Sequence, residues 1–253
     1  MTDAKRHPMT LKPVLYTLAG MADVATREVA YGDGVAIDLY APPGASGRLP
    51  AVVFVFGYPD PGCEQFFGCK LKDSVAYQSW ARLIAASGMI GVTYSNREPG
   101  DAHAMLAHLR GNAAALGIDD QRLAIWACSG NTPMAMSLLD GMRCAVLCYP
   151  FVGLGNAPEV AQAAAMFRFA NPAMTLEQLP DIPLFIARAG RDEMPGLNAT
   201  IDRFVPAAIA RAMSITLANH PTGPHSFDLL DDSPTTRAIV RQILAFLTIH
   251  LVG

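Results

Sequence analysis

Leu123-Ala124-Ile125-Trp126-Ala127-Cys128-Ser129-Gly130-Asn131-Thr132-Pro133 runs from an apolar stretch of strand length into a turn of small residues, and Met134, Met136, Leu138 and Leu139 then recur at helical spacing. A strand that bends sharply into a helix thrusts its corner side chain out at the sheet edge. The residues two before and two after must be small, because strand and helix cross there. Around Ser129 those positions hold Ala127 and Asn131, so the G-x-S-x-G pattern is met in relaxed form, without its flanking glycines. Pro133 suits a first helical turn, whose amides lack intrahelical acceptors. The same free amides, at the positive end of the helix, suit an oxyanion. Ser129 is therefore the candidate nucleophile; the competing reading makes it a helix N-cap after a core strand. Cys128 is the rival nucleophile, but a turn centred on it would put the bulky Trp126 at the crossing.

On either side of this stretch, apolar runs of strand length cover Ala25–Tyr31, Val35–Ala41, Ala51–Phe56, Ile90–Tyr94, Arg122–Ala127, Cys144–Tyr149, Pro183–Ala189 and Ser214–Asn219. Gly32-Asp33-Gly34 between the first two reads as a hairpin turn. From the third run onward the spacing lengthens to admit helices, as the crossovers of a parallel sheet require. Ser74 is placed to cap a helix through Tyr77, Trp80, Leu83 and Ile84 that stops at Gly88, and Asp101 to cap one through Met105, Leu106, Leu109, Ala113 and Leu116 that stops at Gly117. Ser233-Pro234 reads as N-cap and first helical residue before an apolar stripe at Ile239, Ile243, Leu244, Phe246 and Leu247. A single α/β domain over 1–253 follows, with a mostly parallel eight-stranded sheet. Residues 152–181, rich in Ala, Met and Phe, form an expected helical cap insertion.

Composition agrees. Hydrophobic residues make up 51% of the chain and charged residues 16%, as expected where strands are covered on both faces. A net charge of −3 gives no basic footprint for nucleic acid. No apolar run reaches the roughly 18 residues of a membrane span. The N-terminal stretch lacks the apolar core of a secretory signal, which points to the cytoplasm. Cys63, Cys69, Cys128, Cys144 and Cys148 form no disulfide framework and read as reduced thiols, with a Cys63–Cys69 pairing left open. Their spacing with His and acidic residues suggests no metal and no organic cofactor. Oligomeric state is not legible.

A serine hydroxyl needs a base to take its proton. His7 lies in the N-terminal stretch, His103 and His108 fall on a helix five apart, and His250 is near the end of the last helix. His225 follows the last strand in Pro221-Thr222-Gly223-Pro224-His225-Ser226-Phe227, at the carboxyl edge where catalytic groups of open α/β sheets gather; His220 is the reserve. The carboxylate that orients the base should follow an intervening strand. Gly190-Arg191-Asp192-Glu193 supplies Asp192, with the adjacent Glu193 an open alternative. The chain order is then Ser, Asp, His.

These features resemble the α/β-hydrolase superfamily, and within it the dienelactone-hydrolase-like and small esterase branch. The resemblance spans roughly Val35 to the C-terminus and is carried by Asp38-Leu-Tyr-Ala-Pro-Pro43, Ala51-Val-Val-Phe-Val-Phe-Gly57, Ala127-Cys-Ser-Gly-Asn131, Tyr149-Pro-Phe151, Gly190-Arg-Asp192 and His225-Ser-Phe227. It implies Ser129, Asp192 and His225 as nucleophile, acid and base. It also implies an oxyanion hole from the Gly130 amide and one amide of the Phe56-Gly57-Tyr58 loop, Tyr58 first and Gly57 second. The sequence departs from the family in lacking the histidine and second glycine of that loop, and in carrying serine where dienelactone hydrolases carry cysteine. The implied activity is hydrolysis of a small ester or lactone through an acyl-enzyme. The alternatives are a peptidase or acyltransferase on the same scaffold, or a catalytically silent binding protein. Phe66, Phe67, Met166, Phe167 and Phe169 are expected to form an apolar rim over Ser129 for a small-molecule substrate.

Overall fold

In a computed structural model, which describes residues 6–153 and 157–253, the chain builds one eight-stranded sheet. The first five residues of the N-terminal stretch and residues 154–156 of the expected insertion lie outside the described residues. The strands are β1 (Ala25–Gly32), β2 (Val35–Ala41), β3 (Leu49–Phe54), β4 (Ile90–Tyr94), β5 (Ile118–Cys128), β6 (Cys144–Cys148), β7 (Leu184–Ala189) and β8 (Ile215–His220). Their spatial order is β1-β2-β4-β3-β5-β6-β7-β8. β1 and β2 form the expected antiparallel hairpin, β2 runs antiparallel to β4, and all other neighbours are parallel.

Burial follows sheet position. Every residue of β4 and β6 is buried, so those strands are apolar throughout, whereas the edge strand β1 is mostly exposed and carries Arg27 and Glu28. The helices are α1 (Asp60–Phe67), α2 (Val75–Ala86), α3 (Asp101–Gly111), α4 (Ala113–Leu116), α5 (Thr132–Met136), α6 (Pro158–Phe167), α7 (Leu197–Ala210), α8 (Phe227–Leu230) and α9 (Pro234–Leu251). α2 packs on β2 and β4, α3 on β1 and β5, α7 on β7 and β8, and α9 across β5 to β8. Ser74 and Ser233 cap α2 and α9 as expected, their hydroxyls accepting from the Tyr77 and Thr236 amides.

Several expectations need correction. Asp101 is not a cap: the cap position is Gly100, and the Asp101 carboxylate instead accepts from the Arg97 amide (2.8 Å) and guanidinium (3.0 Å). The helix it opens breaks at Asn112, giving α3 and α4 in place of one element. Cys63 and Cys69, whose pairing the sequence leaves open, are both buried free thiols, the first inside α1 and the second just beyond its end. Among its described residues the 152–181 segment is helical only over α6 and a short 3₁₀ turn at Leu176–Gln178.

Candidate active site

β5 ends at Cys128 and Ser129 turns the corner with φ +51, after which a 3₁₀ turn over Ser129–Asn131 leads into α5. A non-glycine residue held at positive φ is costly and persists only where its surroundings enforce it. They do so here from two sides. The Ser129 carbonyl accepts from the Phe151 amide (3.3 Å), in the segment after β6. Gly130, next in the chain, has no room for a side chain: a Cβ there would lie 2.4 Å from the Tyr58 hydroxyl and 2.5 Å from the Phe169 ring.

Asn131 does more than supply a small residue at the crossing. Its Oδ1 accepts from the Gly57 amide (2.7 Å) and its Nδ2 donates to the Tyr77 hydroxyl (2.7 Å), tying the loop after β3 to the elbow and to α2. This corrects the second expected oxyanion donor, because the Gly57 N–H is already committed to Asn131. The amides of Tyr58 and Gly130 have no acceptor among the described residues. The Ala170 amide donates to the Gly57 carbonyl (2.8 Å), pinning the chain after α6 onto the same loop.

Asp192 and His225 meet. The imidazole Nδ1 and Asp192 Oδ2 are 2.7 Å apart, and a carboxylate can only accept, so Nδ1 carries the proton and Nε2 is left as the basic nitrogen. The other carboxylate oxygen accepts from the Met194 amide (2.9 Å), and the Asp192 side chain is 0% exposed. Glu193 is exposed and outside this pair. The two loops lock together through the Gly190 amide on the His220 carbonyl (2.8 Å) and the Arg191 amide on the Gly223 carbonyl (2.9 Å). A Cβ at Gly190 would sit 2.4 Å from the Pro221 carbonyl oxygen, so only glycine admits this approach.

The Tyr149 ring packs 4.8 Å from the His225 ring and stands two residues before Phe151, whose amide holds the Ser129 carbonyl. Ser129 and His225 thus flank one short segment at the carboxyl edge of the sheet. No hydrogen bond joins the Ser129 hydroxyl to the imidazole. Below them lies Asp228, fully buried, with Oδ2 accepting from the Trp80 indole (2.7 Å) and Oδ1 from the Tyr149 hydroxyl (2.9 Å). Burial pushes the Asp228 carboxyl up, against the pull of those two donors.

The remaining candidates separate. Cys128 contacts Tyr77 (Sγ to Oη 3.3 Å), and burial pushes its thiol up to about 11, which keeps it protonated near neutral pH. His220 is buried with Nε2 2.7 Å from Asp231 Oδ2 and 3.1 Å from the Thr236 hydroxyl, a structural tie to the start of α9. Among the described residues no group of three or more His, Cys, Asp or Glu side chains is placed to hold a metal ion. Phe66, Phe67, Met166 and Phe167 together line one cavity of about 670 Å³. Phe169 is not part of that rim: it is buried, stacked on Phe151 (5.5 Å) and edge-on to Tyr58 (5.9 Å) above Gly130.

No protein-family model matches the chain, and no curated protein sequence matches it. Solved structures do. The bacterial heroin esterase superposes with a TM-score of 0.69 at 16% identity, over 99% of each chain. MGS-M1, an alpha/beta hydrolase enzyme from a Medee basin deep-sea metagenome library, gives 0.65 at 17% identity, over 91% of this chain and 99% of that one. Est2, an esterase from the Planctomycetes species Thermogutta terrifontis, gives 0.66 at 16% identity, over 90% and 93%. The chain has the α/β-hydrolase fold. At these identities the likeness is one of fold, and within the α/β-hydrolase fold chemistry has to be argued from the site.

Three contributors to that site escape a reading of the sequence: the Asn131 side chain, Tyr149 and Asp228. Tyr149 stands in Tyr149-Pro-Phe151 without a role attached, and Asp228 leaves a signal of its own, as one acid inside the otherwise apolar Phe227-Asp228-Leu229-Leu230. An unpaired charge is rarely buried, so an acid in such a run asks for partners.

Proposed function

We propose that the protein is a serine hydrolase of small ester- or lactone-like substrates, working through an acyl-enzyme, with Ser129 as nucleophile, His225 as base and Asp192 orienting the base. The observation that carries the reading is the strained Ser129 (φ +51) at a strand-to-helix corner, on the same sheet edge as an Asp192–His225 pair closed at 2.7 Å. The esterase names of the structural neighbours support ester hydrolysis in general terms.

In the first step the Ser129 Oγ attacks the ester carbonyl carbon while His225 Nε2 takes the hydroxyl proton. Such serine–imidazole bonds are commonly long without substrate and tighten in the complex, so closing Oγ onto Nε2 is part of the proposal. Asp192, already bonded to Nδ1, stabilises the imidazolium that forms. The carbonyl electrons collect on an oxyanion between the Gly130 and Tyr58 amides. Each such donor is worth about 3–4 kcal/mol of transition-state stabilisation. The leaving alcohol departs with the proton from Nε2. Water then adds to the acyl-enzyme by the reverse sequence and releases the acid, restoring the serine hydroxyl. The chemistry uses only side chains and amides of the chain.

A fluorophosphonate probe tests this. The wild-type protein and Cys128→Ala are expected to take the label, and Ser129→Ala to lose it. Labelling that survives Ser129→Ala, or no labelling of a folded wild-type protein, would overturn the assignment.

A further inference from the structure

The same reaction fixes where each half of an ester must lie, and one cavity then identifies the acid. This step rests on the serine-hydrolase reading above. A tetrahedral intermediate on Ser129 carries four groups: Oγ, the oxyanion, the leaving oxygen and the acyl carbon. The leaving oxygen has to face His225 Nε2, which returns its proton, and the oxyanion has to face the Gly130 and Tyr58 amides. The acyl carbon takes the direction that remains.

The cavity of about 670 Å³ has Tyr58 in its wall, the residue whose hydroxyl lies against Gly130 and whose amide is one of the two proposed oxyanion donors. Its walls come from α1, through Gly62, Phe66 and Phe67, and from the end of α6, through Met166 and Phe167. Among the described residues nothing from the loops after β7 and β8, which carry Asp192 and His225, lines it, so it lies on the side of the Tyr58 loop and away from the imidazole. Among the described residues no carboxylate lines this cavity, and the cationic side chains that do are His7 and Arg168, the guanidinium of Arg168 resting 5.6 Å over the Phe66 ring. Phe66 is 57% exposed and Met166 60% exposed, which leaves apolar area for a ligand to cover.

We infer that this cavity between α1 and α6 is the acyl site, and that the substrates are esters of an apolar acid considerably larger than acetic acid. Alcohol size is then of little consequence, since the volume lies on the acid's side of the scissile bond.

Two isomeric esters of equal hydrophobicity, ethyl octanoate and octyl acetate, separate acid from alcohol. The wild-type protein is expected to favour ethyl octanoate by roughly tenfold or more in kcat/KM, the range over which apolar pockets discriminate. Gly62 offers a way to fill the cavity. It lines the wall, and an added Cβ would meet only the Pro59 ring, at 3.7 Å. Gly62→Leu is expected to lower the ratio of ethyl octanoate to ethyl acetate turnover by roughly tenfold. Equal turnover of the two isomers, a preference for octyl acetate, or a ratio unmoved by Gly62→Leu would overturn the acyl assignment while the hydrolase reading stands. So would probe labelling of Ser129 with neither isomer hydrolysed. Absence of both labelling and hydrolysis would instead bring down the underlying reading, and this inference with it.

Discussion

Ser129, Tyr149 and Ser226 are non-glycine residues held at φ +51, +36 and +58: the first is the elbow itself, the second packs on the His225 ring, and the third follows His225 in the chain. Backbone strain of this kind costs about 1–3 kcal/mol per residue and gathers where geometry serves chemistry. At Ser129 the strain belongs to the backbone of any L-residue, so it is separable from the hydroxyl. Ser129→Ala keeps the Cβ and the strain; Ser129→Gly releases it, at the cost of greater unfolded-chain entropy. Both variants are expected to be inactive, with Ser129→Gly melting roughly 1–3 °C above Ser129→Ala by calorimetry. Equal melting temperatures would mean that the corner is not strained. What could be read at this scale beforehand was chemical identity and order: a hydroxyl, a carboxylate and an imidazole, each after a strand. What could not be read was the occupancy of donors. Tyr58 stands ahead of Gly57 only through the family resemblance, and the physical ground for that order is the Asn131 side chain, arriving from 74 residues away to occupy the Gly57 amide.

At the scale of elements, strands were the most legible because burial on both faces demands continuous apolar runs, and every run that was read became a strand. The differences lie at ends. β3 starts at Leu49, through Pro50, and β5 at Ile118, since Leu49 and Ile118 pair across a bulge. The polar Asp119–Arg122 within β5 hides that extension from any search for apolar runs. Charges that pair at long range are equally hidden. Lys72, between Leu71 and Asp73, looks like a solvated lysine. It is buried, with Nζ 3.0 Å from Asp38 Oδ2 on β2 and 2.9 Å from Glu28 Oε2 on β1. This ion pair joins the edge hairpin to the 3₁₀ turn before α2. Removing one partner of a buried pair strands the other, so Lys72→Met is expected to cost about 3–5 kcal/mol in denaturant unfolding. Adding Asp38→Asn should recover much of that loss. A double variant no more stable than Lys72→Met would show that packing of the lysine stem, and not the stranded carboxylate, sets the cost.

For the whole molecule, the pH dependence of stability sums over every group whose proton affinity changes on folding, and here the contributions oppose one another. Asp101, Asp119 and Asp231 are held below the ordinary carboxylate range by hydrogen bonds from Arg97, Arg122, Ser233 and Thr236. Groups lowered in this way add stability that is present above the unfolded value and lost as pH falls. Asp60 acts in the other direction. It opens α1 just after the Tyr58 loop, accepts from the Asn96 amide (2.9 Å) and has Lys70 at 3.7 Å, yet its Oδ1 is buried with no partner among the described residues. Burial pushes this carboxyl up to about 6. Between pH 4 and 6 the folded chain therefore holds a proton that the unfolded chain has released. Stability falls as pH rises through that window and stays lower above it. Asparagine can still accept from the Asn96 amide but never ionises. Asp60→Asn is thus expected to remove a decline on the order of 2 kcal/mol between pH 4 and 6, and to leave the variant more stable than wild type at pH 7. Because the lowered carboxylates are the same in both proteins, the difference between their stability–pH curves isolates residue 60. Parallel curves across the window would mean that Asp60 releases its proton as readily folded as unfolded, and that the start of α1 tolerates the charge at no cost.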